Sequence, residues 1–228
     1  MSRILIEDNA FYTLAIKENS SKIEDVFAIA SESVVGNIYW AKVENVRGEN
    51  CFIKYDEKRP NGILLTKEKY KSGDLVLCRG VRDAFDNKGA IFKQEIILGA
   101  KYIIFSNSFI GMKYSKKLSK EEKKSLSAIE NKSDYGFIIR HTAVQANKDR
   151  IEEEMFELIE VYEKIYKEAN GNKVKCLFQK SNVEKALEEI DPTDCQIITE
   201  SKELERYPDI IIHNQGVSLF DYYGIRGE

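Results

Sequence analysis

The chain has 228 residues, of which 43% are hydrophobic and 32% charged, and this composition is typical of a folded globular protein rather than a disordered or fibrous one. No run of about 18 apolar residues occurs, so the sequence predicts no membrane-spanning helix. The N-terminus carries Glu7 and Asp8 where a secretion signal would have its apolar core, so we expect a cytoplasmic protein.

The charges are distributed unevenly along the chain. Residues 36–124 hold 19 Lys and Arg against 11 Asp and Glu, a local balance of +8, which leaves −11 for the rest of a chain whose net charge is −3. A basic middle within an acidic chain indicates a surface that faces phosphate groups. Charged side chains that meet only solvent would give the same count, so both interpretations stay open at this point.

The cysteine pattern does not indicate a metal site. There is no C-x-x-C pair, and neither histidine lies near a cysteine in the sequence. We therefore predict no zinc and no other metal, and buried free thiols in a reducing compartment. The four cysteines are Cys51, Cys78, Cys176 and Cys195.

Apolar runs separated by polar turn residues predict three strands near the N-terminus, Arg3–Glu7, Phe11–Ile16 and Val26–Ala30. Their short connections favour an antiparallel meander.

Strand-like and helical patterns alternate over residues 172–213. Two helical segments are predicted, one opening at a capping box from Ser181 to Glu184 and a short one near Glu200–Arg206. This alternation predicts parallel strands with right-handed crossovers. Together with the N-terminal meander it follows the order of elements in an RNase H-like fold, into which the middle of the chain would be inserted. The three predicted strands are Val174–Phe178, Gln196–Thr199 and Asp209–His213.

Residues 36–98 predict a small closed β-barrel. Five strand-like segments alternate with polar turns that contain glycine, and about 60 residues is the size of an OB-fold. The predicted strands are Asn37–Val46, Cys51–Tyr55, Ile63–Leu65, Leu75–Arg82 and Ala90–Leu98.

Aromatic and basic residues of the predicted barrel are candidates for RNA binding, because rings stack on bases and cations follow the phosphates of a single strand. Phe52 and Tyr55 lie three residues apart on the second strand, where a bulge or the strand end would let both rings reach solvent. Lys54 lies between them, and Lys88 stands in the tight turn Asn87–Ala90. The alternative is that Phe52 belongs to the barrel core.

Residues 101–170 combine strands with helices. Tyr102–Phe105 and Gly136–Arg140 have strand-like patterns, and a capping box from Ser119 to Glu122 opens a lysine-rich helix. Apolar residues at helical spacing from Ile151 onward predict a long amphipathic helix that packs against the core.

A set of motifs in a fixed order resembles the ribonuclease E/G family and spans nearly the whole chain. The motifs are Gly36–Tyr39, Cys51–Tyr55, Asn61–Leu64, Asn87–Ala90, Lys101–Phe105, Ser115–Leu118, Gly136–Arg140 and Ser218–Ile225.

The resemblance implies an α+β protein of several subdomains. An RNase H-like α/β subdomain (1–35 and 171–228) would carry an inserted OB-fold barrel of the S1 type (36–99) and an α+β 5′-sensor subdomain (100–170). Phe52 and Lys88 carry over as RNA contacts. Ile63 stands where the family usually has a second aromatic residue, which reduces the stacking surface.

The resemblance also implies a pocket for a 5′-monophosphate. Arg140 matches the family's phosphate-binding arginine, whose planar fork can bind phosphate through two bonds. The family usually has threonine next, whereas here His141 intervenes before Thr142. Thr142 reaches the phosphate by a local shift, or His141 replaces it, or sensing is impaired. Lys116 and Lys117 are expected to face the same pocket, unless they belong to a solvated loop.

The family's hydrolysis resembles metal-assisted chemistry in which two aspartates hold Mg²⁺. In the family, those aspartates follow the stretch that matches Leu219–Ile225, and this chain ends at Glu228. We therefore expect no catalytic residue and no cofactor in this chain, and no activity when it is alone. A separate RNase H-like nuclease site is not predicted either, because Arg3–Ile6 has no carboxylate.

The function expected from the sequence is an RNA-binding, 5′-end-sensing N-terminal portion of an RNase E/G-type endoribonuclease of RNA processing and decay. Its partner would be single-stranded RNA, and it would be a monomer or weak dimer. The alternative is a stand-alone RNA-binding or scaffold module without nuclease activity.

Overall fold

The computed structural model describes residues 2–48, 50–190, 195–201, 210–213 and 216–224. The chain divides into two compact units. Unit 1 comprises Met1–Ser33 and Lys180–Glu228, and unit 2 comprises Val34–Gln179. Unit 2 is therefore an insertion in the sequence of unit 1, and the chain returns to unit 1 nine residues later than the predicted boundary at residue 171.

The described residues form strands β1 to β15 and helices α1 to α4. The strands are β1 (Ser2–Asp8), β2 (Tyr12–Asn19), β3 (Lys22–Ala30), β4 (Ile38–Arg47), β5 (Asn50–Lys54), β6 (Gly62–Leu65), β7 (Leu75–Arg82), β8 (Ile91–Lys93), β9 (Ile97–Gly99), β10 (Ile103–Ser106), β11 (Gly111–Tyr114), β12 (Gly136–Ile139), β13 (Lys175–Phe178), β14 (Gln196–Thr199) and β15 (Ile210–Ile212). The helices are α1 (Lys120–Ser125), α2 (Lys148–Glu168), α3 (Asn182–Glu189) and α4 (Leu219–Tyr222). None of these helices has a stretch that is long and apolar enough to cross a membrane.

Unit 1 contains a five-stranded sheet in the order β15-β14-β1-β2-β3. The first three strands in the chain pair antiparallel, whereas β14 is parallel to β1 and β15 is parallel to β14. The predicted meander and the parallel pairing of the last two predicted strands are confirmed. The short helix predicted near Glu200–Arg206 falls mainly on residues 202–206, outside the described residues.

The apolar run of β1 is buried on both faces of this sheet. Ile4 and Ile6 pack with α3, while Leu5 points to the opposite face and packs with Ile198 and Leu219. A strand that is covered on both faces needs a continuous apolar run rather than an alternating one, which accounts for the local sequence. The predicted start of α3 is confirmed, since its N-cap side chain accepts a hydrogen bond from the Glu184 amide (3.1 Å).

The first part of unit 2 is a closed barrel of five strands in the order β4-β5-β6-β8-β7, with β7 returning to pair with β4. β6 and β8 are parallel, and the other pairs are antiparallel. The predicted barrel is confirmed, and this arrangement is consistent with an OB-fold.

The predicted fifth strand, Ala90–Leu98, is wrong in its extent. It divides into β8, which closes the barrel, and β9, which belongs to the next sheet. Between them the Ile96 amide donates to the Asn107 side chain (2.8 Å) instead of to a neighbouring strand, so the ladder is interrupted there.

The prediction that Val174–Phe178 opens the α/β run of the RNase H-like subdomain is also wrong. β13 pairs antiparallel with β4, where Lys175 lies opposite Trp40. Leu177 and Phe178 pack against the apolar cluster beneath the following sheet. The strand therefore buries its apolar side chains within unit 2, which a local sequence pattern cannot specify.

The second part of unit 2 is a four-stranded sheet in the order β11-β12-β10-β9, covered by α2. The buried apolar face of α2 confirms the predicted amphipathic helix. The predicted capping box is also confirmed: Ser119 and Glu122 exchange both side-chain-to-backbone bonds at the start of α1. β11 was not predicted, because its four residues contain too few apolar side chains to show a period.

Burial of the cysteines differs from the prediction. Cys51 and Cys78 are buried in the barrel core, and this burial raises the pKa of both thiols. Cys176 is exposed and Cys195 is half-buried, so the prediction of buried thiols is wrong for Cys176.

Candidate nucleic-acid interface

Strand register places a mainly apolar row across the outside of the barrel. Phe52 of β5 lies opposite Ile63 of β6, Ile63 opposite Ile91 of β8, and Ile91 opposite Arg82 of β7. The neighbours of Phe52, Ile63 and Ile91 along their strands point inward, so these three side chains point outward and are half-buried. Arg82 follows an irregularity in the β7–β8 register and is exposed. We call Phe52, Ile63, Ile91 and Arg82 the outer row. The inward neighbours are Cys51, Ile53, Leu64 and Phe92.

Cations flank the outer row on both sides. On one side Lys42 lies opposite Lys54 across the β4–β5 pairing. On the other side Lys93 lies opposite both Leu65 and Arg79. Apolar surface between two lines of positive charge suits a single nucleic-acid strand, whose bases meet the apolar groups while its phosphates meet the cations.

Tyr55 is not part of this surface. Its ring is 4% exposed and packs in the barrel core, with ring centroids 5.3 Å from Tyr39 and 4.5 Å from Phe92. Burial also raises the pKa of its hydroxyl group. The expectation that the Tyr55 ring reaches solvent together with Phe52 is wrong, because side chains alternate along a strand and an odd spacing puts the two rings on opposite faces.

The turn that carries Lys88 also presents an aromatic ring that the sequence interpretation missed. Phe85 and Lys88 exchange both backbone hydrogen bonds (3.1 and 3.0 Å) around a two-residue turn in which Asp86 has φ +54°. Directly paired residues project their side chains to the same face, about 5 Å apart at Cβ. Phe85 is 77% exposed. Its signal in the sequence was a phenylalanine within a polar turn, where no neighbouring residue can bury it.

A close backbone approach sets this turn beside the outer row. A Cβ at Gly89 would lie 2.7 Å from the Asn61 carbonyl oxygen, so only glycine fits there. The Ile63 amide donates to the Ala90 carbonyl (2.8 Å), which fastens the end of the turn to β6. Phe85 and Lys88 therefore extend from the part of the barrel where the outer row crosses β6.

The second sheet brings together the two segments that were predicted to bind a 5′-phosphate. β11 runs parallel to β12, with Tyr114 opposite Ile139, and the Ser115 amide donates to the Ile139 carbonyl (2.8 Å). Residues 115–117 therefore lie beside residues 140–142 at the C-terminal ends of two adjacent strands. Lys116 and Lys117 are exposed, whereas the three residues from Arg140 are half-buried.

Two of these side chains are already engaged by a neighbouring turn. Arg140 donates through Nη1 to the Ala100 carbonyl (2.9 Å), which uses one of the five donors of the guanidinium. The Thr142 hydroxyl donates to the Lys101 carbonyl (2.5 Å). Because a hydroxyl has one proton, Thr142 cannot donate to a phosphate while this bond persists.

His141 begins a short 3₁₀ turn and lies near the start of α1. The Ser119 amide and hydroxyl lower the pKa of Glu122, and His141 lowers it further by its charge. The imidazole of His141 therefore lies close to the Ser119–Glu122 capping box.

A buried carboxylate also binds the turn at residues 100–102, whose carbonyl groups accept the bonds from Arg140 and Thr142. Glu154 of α2 is 4% exposed and accepts hydrogen bonds from the amides of Lys101 (3.2 Å) and Tyr102 (2.8 Å). Burial raises the pKa of this carboxyl group, and the two amides oppose that rise. Sequence reasoning missed Glu154, although an acidic residue within the apolar stripe of a helix, between Ile151 and Met155, was a visible signal.

Among the residues that the structure describes, no three His, Cys, Asp or Glu side chains come close enough to hold a metal ion.

The structure thus defines a mixed α+β protein with a closed five-stranded barrel whose outer face is apolar and basic. The family model for the Ribonuclease E/G family matches residues 97–221, which is more than half of the 228 residues. The chain belongs to the Ribonuclease E/G family and is an RNA-processing protein of the RNase E/G type. The resemblance that the sequence motifs suggested is confirmed.

Proposed function

We propose that this chain binds single-stranded RNA on its barrel and senses the 5′ end of that RNA, as the N-terminal portion of an RNase E/G-type endoribonuclease. The observation that carries the proposal is the outer row, with cations on both sides of it. The RNA would be single-stranded because stacking on Phe52 requires the face of a base, which a duplex covers.

Each part of the chain would have the subdomain role that the resemblance implies. The barrel would be the S1-type domain, and the sheet containing Arg140 would be the 5′ sensor. Unit 1 would be the RNase H-like subdomain, which is supported by its three antiparallel strands followed by two parallel ones. A cytoplasmic monomer or weak dimer remains a prediction.

Replacing Phe52 with alanine is expected to weaken the binding of a single-stranded RNA by about 1–3 kcal/mol, the contribution of one stacked base. The variant should stay folded, since Phe52 points outward and is not a member of the barrel core. Fluorescence anisotropy with a labelled RNA measures the affinity, and a thermal melt measures the stability. Phe52 would instead be a core residue if the variant lost its cooperative melt.

Replacing Arg140 with alanine is expected to reduce the preference for 5′-monophosphorylated RNA over 5′-hydroxyl RNA by about 1.5–3 kcal/mol, the value of a hydrogen bond to a charged group. The reason is that only one of its five donors is used by Ala100, so the rest of the guanidinium fork can bind phosphate. The measurement is the ratio of the two affinities.

A lysine variant at position 140 is the matched control, because it keeps the charge and loses the fork. It should recover part of the overall affinity and little of the preference. Equal losses on both RNA ends in the alanine variant would contradict a sensing role and would leave Arg140 as a support for the turn.

A further inference from the structure

A cavity of about 640 Å³ opens within unit 2, between the barrel and the C-terminal half of α2. Its floor is the outward face of β4 and β7, where Trp40, Leu75 and Leu77 lie. Tyr162 and Tyr166 of α2 form one wall, on the same face of the helix because they are four residues apart. This volume is within the range of about 300–1,000 Å³ that is typical of small-molecule sites.

Aromatic rings line the cavity in fixed positions. The Trp40 indole N–H donates to the Gly171 carbonyl (2.9 Å), which sets the orientation of the ring. The Tyr70 hydroxyl donates to a Glu68 oxygen (2.9 Å) and accepts from Gln94 (2.7 Å). The faces of such rings carry partial negative charge and attract cations.

Two carboxylates and a helix end add negative charge to the same cavity. Hydrogen bonds from Gln94 and Tyr70 hold the pKa of Glu68 below its usual range. Glu95 accepts a hydrogen bond from Ser108 (2.7 Å) and also lines the cavity. Ala169, the C-cap of the 21-residue helix α2, completes the wall, and the C-terminus of a helix is its negative end.

We infer that this cavity binds a protonated amine or guanidinium group, carried by a free polyamine or by a basic side chain of a peptide. Aromatic faces, carboxylates and a helix C-terminus all favour a positive guest, and within the described residues the lining contains no lysine or arginine. A phosphate would be repelled by the same groups. The cavity shares no residue with the outer row or its flanking cations, so this inference does not depend on the proposed RNA function.

Trp40 is the only tryptophan in the chain, so its fluorescence reports directly on the cavity. We expect a saturable fluorescence change when the RNA-free protein is titrated with spermidine or with a tetra-arginine peptide at constant ionic strength. Glu95→Gln should weaken the binding at least about tenfold, as expected for a hydrogen bond that loses its charged partner. Glu68→Gln, an exposed position, provides a second test if the first variant melts at a lower temperature.

Glu57→Gln is the matched control, because it removes the same charge from an exposed loop outside the cavity. Saturation by spermidine identifies a polyamine as a ligand, and saturation by the peptide identifies a basic side chain. The inference is overturned if neither probe saturates, or if Glu57→Gln loses as much affinity as Glu95→Gln. It is also overturned if guanosine monophosphate binds and neither spermidine nor the peptide does.

Discussion

Replacing Tyr55 with alanine is expected to lower the free energy of unfolding by about 3–5 kcal/mol, as for other large aromatic-to-alanine changes in a core. The ring packs at an edge-on angle of 77° to Tyr39 and lies 4.5 Å, between centroids, from Phe92, so its removal leaves a cavity among residues that cannot close it. Urea unfolding followed by the fluorescence of Trp40, on β4, measures the loss.

Tyr55→Phe is the control for this prediction. It keeps the ring and removes only the hydroxyl, which bonds to Arg59, so we expect a cost of about 0.5–1.5 kcal/mol and unchanged RNA affinity. A Tyr55→Ala protein with native stability and weakened RNA binding would restore Tyr55 as an RNA contact and would contradict its placement in the core.

Replacing Phe52 and Phe85 together with alanine is expected to weaken single-stranded RNA binding by about 2–6 kcal/mol. Each substitution removes the stacking of one base, which contributes about 1–3 kcal/mol. Phe85 stands beside Lys88, so a base on its ring would have a cation near its phosphate. Stability should change little, since neither ring belongs to the barrel core. The measurement is RNA affinity by anisotropy, with a urea titration for stability.

Phe11→Ala is the matched control for the double variant. Phe11 is 80% exposed, close to the 77% of Phe85, but it lies on unit 1. It should bind RNA as the native protein does. If the double variant binds no more weakly than Phe52→Ala alone, Phe85 makes no contact and the proposed surface ends at the barrel strands.

The candidate site was only partly predictable from the sequence. Phe52, Lys54 and Lys88 were proposed from residue type and turn chemistry, and the structure places all three on the outside of the barrel. Tyr55 was misassigned although the two-residue period of a strand already put it on the face opposite Phe52. Phe85 was overlooked because the turn was considered only as a site for Lys88. The exposed ring at its start, which no nearby residue could bury, was not considered.

The local patterns of the sequence by themselves determined where most elements lie. Turn residues between apolar runs specify the meander and the barrel strands, and a 3.6-residue period specifies α2, because these signals depend only on near neighbours. The order of the motifs resembles that of the Ribonuclease E/G family, and the match of the family model to residues 97–221 confirms that resemblance.

Only the tertiary structure decided which elements meet. β13 pairs with β4 across more than 130 residues, and Glu154 holds a turn more than 50 residues away, beside Arg140. The cavity at Trp40 also joins strands, loops and a helix that are distant in sequence. Such contacts follow from the burial of apolar and polar groups over the whole unit, and no local period encodes them.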